Sequence, residues 1–179
     1  MQRLAFDLAH AEGLLVEDNV FLSGAAGLTT AISIDAACSD VRIGANTFNA
    51  GITTKVSDAG TGTMGIVKTA TLLNNWVAYA GGTATLKYMK STDGMVHLWG
   101  SIKNGTITNG TSVATLPTGF IPSEIIRANA FTQLAGTTSA ADVVIDTGGN
   151  VLIFYAKADQ LDINMAFPAE NLANAVSLE

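Results

Sequence analysis

Two histidines, His10 and His97, one cysteine, Cys38, and two close carboxylate pairs, Asp142/Asp146 and Asp159/Asp162, are the residues of this chain that could break bonds. Nucleophilic catalysis needs a base within reach of an activated nucleophile. The chain has only these two histidines to serve, and it contains no Gly-x-Ser-x-Gly elbow. Glycoside hydrolysis needs two carboxyl groups flanking one bond. Each Asp pair here flanks a strand end or a turn, where aspartate is expected for its backbone-capping oxygens. A zinc site needs several converging ligands, and one cysteine with two histidines does not supply them. Cys38, beside Ala36 and Ala37, reads as a small buried hydrophobe and has no partner for an internal disulfide. Asp146-Thr147-Gly148-Gly149-Asn150 reads as a hairpin turn rather than a calcium loop. Gly60-Thr61-Gly62-Thr63-Met64-Gly65 has the glycine spacing of a dinucleotide loop. It lacks the following helix and the acidic residue about 20 positions on, so it reads as a hinge. The expectation is a protein that is not an enzyme, with no catalytic residues, no cofactor and no metal.

Contact chemistry is better represented. Trp99 and His97 are the ligand-binding candidates. They alternate with Val96, Leu98 and Ile102, so if those three face a core, His97 and Trp99 face outward or toward a sister chain. An indole face offers an apolar platform for the C–H face of a sugar, while polar neighbours bond its hydroxyls. Burial of Trp99 at an interface between chains is the competing expectation. Trp76 reads as structural.

The elements that must position these residues are mostly strands. Leu161, Ile163, Met165 and Phe167 alternate with Asp162, Asn164 and Ala166, and Val143 and Ile145 alternate with Asp142, Val144 and Asp146. Gly81-Gly82, Asp93-Gly94, Asn104-Gly105, Asn109-Gly110 and Gly148-Gly149-Asn150 supply turns, several of them hairpin dipeptides. The Asn-Gly-Thr triplets at 104 and 109 match a glycosylation acceptor but read as turns. Short strands at this interval mean a sandwich or barrel. Before residue 74 the pattern is different. Leu4, Leu8, Ala11 and Leu15 recur at helical spacing and predict a short amphipathic helix over residues 2–12. Short strand candidates follow with no strict repeat period, which suits an elongated neck where several chains share a thin core. After Pro168 the chain reads as a helical turn or a tail.

Composition narrows the partners. Charged residues are 13% of the chain against about 25% in ordinary globular domains, and 48% are apolar. The longest apolar runs, such as Val151–Ala156, fall well short of the ~18 residues a membrane span needs. An oligomer reconciles these figures, since part of the apolar surface then faces a sister chain. The net charge of −6 and the lack of a basic patch leave nucleic acid without an electrostatic footprint. No signal peptide is recognisable, which predicts synthesis in a cytoplasm.

In order along the chain stand Trp76, Leu86-Lys87-Tyr88-Met89-Lys90, Gly94-Met95-Val96-His97-Leu98-Trp99-Gly100, Leu116-Pro117-Thr118-Gly119-Phe120-Ile121-Pro122, Gly149-Asn150-Val151 and Leu161-Asp162-Ile163-Asn164-Met165-Ala166-Phe167. Residues 74 to 168 thereby resemble the C-terminal head domain of phage tail-fibre and baseplate receptor-binding proteins, especially those of phages infecting Gram-positive hosts. The resemblance implies an all-β fold: a jelly-roll-like antiparallel β-sandwich head, residues 74–168. To this are added a smaller β-rich neck with the short helix, residues 1–73, and a tail, residues 169–179. It implies a homotrimer at the tip of a virion that attaches to host cell-surface saccharides by multivalent, non-covalent binding. Other baseplate or tail proteins are the expected partners of the N-terminal region, with no nucleic acid and no membrane insertion. Tyr88, Gly94, Gly100, Leu116, Pro117 and Pro122 would hold the fold. The alternatives are a structural baseplate or fibre protein touching only virion proteins, and a wall-polysaccharide hydrolase.

Overall fold

The structure, a computed structural model, describes residues 4–23, 27, 29–80, 85–157 and 159–169. Its contacts divide into two compact units, one ending at Ile66 and the other beginning at Val67. Among the described residues there is no helix.

The first unit is a stack of parallel strands: β1 (Leu4–Leu8), β2 (Leu15–Val16), β3 (Val20–Phe21), β4 (Thr30–Ile34), β5 (Arg42–Ile43), β6 (Thr47–Phe48) and β7 (Thr54–Asp58). β4 pairs in parallel with β1 on one side and β7 on the other, β2 pairs with β5, and β3 pairs with β6. The chain thus winds in successive coils, each laid on the one before, in the manner of a parallel β-solenoid. The helix expected over residues 2–12 is replaced by β1. So short a helix has little stability of its own in water, whereas an extended segment gains a ladder along β4 and turns Phe6 edge-on to Phe21 at 5.6 Å.

Nor does the stack lack a repeat. Val16-Glu17-Asp18-Asn19-Val20-Phe21 lies over Ile43-Gly44-Ala45-Asn46-Thr47-Phe48. Asn19 donates from its backbone N–H and its Nδ2 to Asn46 Oδ1, 27 residues on, both at 3.1 Å. Asn46 Nδ2 donates to the Val16 carbonyl at 2.9 Å and the Gly44 carbonyl at 3.1 Å. The Phe21 and Phe48 rings stack at 5.1 Å with planes 8° apart. Within this unit Val16, Phe21, Ala31, Ile32, Ile34, Cys38, Val41, Ile43 and Ile52 are all buried together. The Gly60–Gly65 segment continues the stack instead of hinging. Thr61 N–H donates to the Cys38 carbonyl and Met64 N–H to the Val41 carbonyl, and Asp58 Oδ1 accepts from Gly60 N–H and Thr63 Oγ1, both at 2.9 Å.

The second unit contains β8 (Lys68–Thr69), β9 (Val77–Ala78), β10 (Lys87–Lys90), β11 (Met95–Lys103), β12 (Thr111–Thr115), β13 (Ile126–Leu134), β14 (Thr137–Ile145), β15 (Asn150–Phe154) and β16 (Gln160–Pro168). All its strand pairs are antiparallel, and they join in one sheet of order β12-β15-β14-β13-β16-β11-β10-β8, with β9 on β11. An antiparallel bridge from Leu72 to Ala114 links the segment after β8 to β12. Hydrogen bonding therefore makes one continuous curled sheet where the sequence suggests two separate layers. β16, last in the chain, lies at the middle of the sheet between β13 and β11.

Alternation builds the core. Val96, Leu98 and Ile102 of β11 are buried with Leu161, Ile163, Met165 and Phe167 of β16 and with Val143, Ile145, Val151 and Ile153. Trp76 joins this core. Gly105 has to be glycine, because a Cβ there would lie 2.1 Å from the Trp76 ring. Gly100 lets β11 pass the segment that enters β10: its φ is +146°, and a Cβ would meet the Thr85 carbonyl oxygen at 2.0 Å. The helical turn expected after Pro168 and the Gly81-Gly82 turn lie outside the described residues.

Candidate functional site

With the alternate residues of β11, β16 and β13 committed to the core, the others form the outer face of the sheet. Across the strands Trp99 stands opposite Asn164, His97 opposite Ala166, and Ser101 opposite Asp162. Asp162 in turn stands opposite Phe131, and Gln160 opposite Gln133. Thr138 of β14 completes the row beside Gln133. Opposed residues have Cβ atoms ~4.5–5.5 Å apart, so these side chains are immediate neighbours.

The centre of this face is a bonded polar cluster beside an exposed ring. Ser101 Oγ donates to Asp162 Oδ1. Gln160 Nε2 donates to both oxygens of the same carboxylate, at 3.0 and 2.8 Å. The carboxylate is thereby held in one orientation with acceptor capacity to spare. Phe131, next to it, is 68% exposed. Phe131, Thr132, Gln133, Thr138, Gln160 and Asp162 line a shallow cleft of about 70 Å³. That is well below the ~300–1,000 Å³ of pockets that engulf a ligand. A ligand here must lie on the face, not inside it.

The support beneath the cleft is rigid. Thr132, buried, accepts at its Oγ1 from Lys157 N–H at 2.6 Å and donates to the Gln160 carbonyl at 2.9 Å. These bonds tie the segment entering β16 to β13 and fix where Gln160 starts. Nearby, Tyr155 is 66% exposed with a φ of +60°. A bulky residue rarely adopts that backbone conformation, and here Asn109 Oδ1 accepts the Tyr155 N–H at 2.8 Å.

The candidates read from sequence fall as follows. His97 is exposed and Trp99 partly buried, both on the outer face, while Val96 and Leu98 are fully buried. Trp99 is one row from the cluster, and His97 lies further along, opposite Met89 and Ala166. The aspartates separate into different tasks. Asp146 accepts from Gly148 N–H, Asn150 N–H and Asn150 Nδ2, each at 2.9 Å, and braces the β14–β15 turn. The Asn150 side-chain bond, with backbone N–H bonds behind it, holds its carboxyl below the usual range. Asp159 accepts the Ala135 N–H at 2.6 Å and braces the β13–β14 turn. Asp162 is no turn residue; it lies within β16. Cys38 is buried, with its Sγ against the Leu8 carbonyl at 3.2 Å. Among the described residues no three His, Cys, Asp or Glu side chains converge as a metal site.

Phe131 was missed, although its signal is present. In Arg127-Ala128-Asn129-Ala130-Phe131-Thr132-Gln133 the ring falls in the polar phase of the alternation. Ala130 and Thr132 on either side are buried.

No family model matches the chain, and no curated protein matches it. Among solved structures, its neighbours are receptor-binding proteins and head domains of Listeria and lactococcal phages. The chain is similar to the receptor binding protein gp15 of Listeria phage PSA, with a TM-score of 0.46 and 19% identity, over 59% of this chain and 65% of that one. It thus spans less than two thirds of that protein. It is also similar to the head domain of lactococcal phage bIL170, with a TM-score of 0.46 and 14% identity, over 58% of this chain and 97% of that one.

Proposed function

We propose that this chain is a receptor-binding protein of a phage tail, carried at the tip or baseplate of a virion, that attaches to saccharides of a host cell wall. It gives this chain the role that the two phage structures carry in their own descriptions. The observation that carries the binding reading is the exposed Phe131 ring beside a carboxylate already oriented by Ser101 and Gln160. Aromatic faces take the C–H side of a sugar ring, and preset polar groups take its hydroxyls. The cleft is shallow, so single-site affinity is low. Attachment then depends on several sites acting at once, as a homotrimer repeated around a tail provides. Binding of the purified protein to cell-wall polysaccharide from a panel of Gram-positive bacteria tests the reading. Saturable binding to some wall preparations and not others is expected. No binding at millimolar sugar by correctly assembled protein would overturn it.

The alternative, a structural protein touching only other virion proteins, draws on the first unit. Val20 is 65% and Leu22 70% exposed, and Phe6, Leu14 and Leu15 of the same coil are exposed as well. An apolar surface gathered on one coil suits a protein contact. In our reading this coil serves the N-terminal docking to other tail proteins, and the sheet face serves the host.

A further inference from the structure

Resting on the saccharide reading above, we propose that the outer face of β11, β16 and β13 binds a run of consecutive neutral sugar units. One unit lies on Phe131 beside Asp162 and Gln160, and the run continues past Asn164 to Trp99. Three observations support this. First, the face carries two aromatic residues, not one, and both belong to the same side of the sheet. Trp99 stands opposite Asn164, Asp162 is two residues along the same strand, and Phe131 stands opposite Asp162. Two strand spacings and two residues along a strand separate the rings' Cα atoms by about 12 Å. That is longer than one pyranose ring and matches a short run of them.

Second, the path between the rings is lined by groups that bond hydroxyls. Asn164 is exposed, and Asp162 retains free acceptor positions after its bonds to Ser101 and Gln160. Third, the charge is wrong for an anionic ligand at the Phe131 end. The one ionised side chain lining the cleft is a carboxylate. The cations of the same face are not among the cleft residues. Arg127 is four residues from Phe131 along β13, Lys87 stands opposite Trp99 at the far end, and the Lys103 ammonium, two residues past Ser101, rests 5.5 Å over the Tyr79 ring. A phosphate or uronate placed on Phe131 would face Asp162 without a compensating cation among the cleft residues.

The test is a calorimetric titration of the full chain with cello-, chito- and rhamno-oligosaccharides of one to four units, and with poly(glycerol phosphate). At least one neutral series is expected to bind about tenfold more tightly at three units than at one. Phe131→Ala should weaken every member of that series by tenfold or more. Asn164→Ala and Trp99→Ala should remove the gain with length and leave the single unit unchanged. Asn164 is exposed, so its variant stays informative if the Trp99 change disturbs folding. Affinity independent of length, binding of the phosphate polymer alone, or no binding by any neutral series overturns the proposal. Retention on whole bacterial wall, measured in parallel, separates this failure from failure of the receptor-binding reading. A protein that still binds wall but shows no length dependence keeps the function and loses the extended site.

Discussion

At the scale of single residues, the second unit spends backbone strain where a turn demands it. β13 and β14 are joined by a two-residue turn in which Ala135 has φ +48° and Gly136 φ +80°. That geometry belongs to Asn-Gly or Gly-Gly, and alanine adopts it at a cost. Asp159 offsets the cost by accepting the Ala135 N–H. Ala135→Asn keeps this backbone bond and removes the strain, so it should stabilise the protein by about 0.5–1 kcal/mol. Thermal unfolding checks this as a midpoint several degrees higher. Asp146 supports a pH prediction. Its carboxyl is held below the usual value of 3.8 by Asn150 and nearby N–H groups. A folded value below the unfolded one adds stability that is complete above the unfolded pKa and is lost as pH falls through the folded one. Acid unfolding should therefore steepen below pH about 4, and Asp146→Ala should be less sensitive to pH there than the parent chain. Such turn bracing was legible from Asp-Thr-Gly-Gly-Asn. The Ala135-Gly136 turn was not, because alanine announces nothing.

Elements were legible in proportion to how far their pattern ran. The strands over 95–103 and 160–168 carry inward residues at period two, and Val96, Leu98 and Ile102 of the first and Leu161, Ile163, Met165 and Phe167 of the second are buried as that pattern predicts. In the first unit most strands have two residues, too short for any period to register. Its information is instead in matched positions, Asn19 with Asn46 and Phe21 with Phe48, which contact one another only when the coils stack. Leu4, Leu8, Ala11 and Leu15 imitate a helix because a coil that bends every few residues also returns its apolar residues at uneven intervals. Asn46 is the element-scale test. It makes four bonds, three of which join the first two coils. Asn46→Ala should cost about 1–3 kcal/mol, since it leaves partly buried backbone groups without partners. Denaturant unfolding of the variant should show the loss.

At the scale of the whole molecule, the low charge and the exposed Val20 and Leu22 point to assembly. Light scattering should give a particle of three times the 18.4 kDa chain mass. A monomer would undercut the avidity on which the proposed sugar binding depends. On the proposed reading, replacing Val20 and Leu22 together by serine should reduce association with tail proteins while leaving the proposed sugar binding by the sheet unchanged, read by pull-down and titration side by side. The broad outcome was legible: an all-β chain, its outer strand face bearing His97 and Trp99. The location of the polar cluster was not, because Ser101 and Asp162 are 61 residues apart and meet only through strand order.

That strand order has a consequence in time. Of the described strands, β16 comes last in sequence and lies at the centre, between β11 and β13. Without it the facing edges of β11 and β13 have no partner. Such long-range closure is slow, and the unfilled gap invites a strand from any neighbouring chain. The polar cluster and its ring are therefore assembled in one step: Asp162 reaches its place between Ser101 and Phe131 only when β16 closes the sheet.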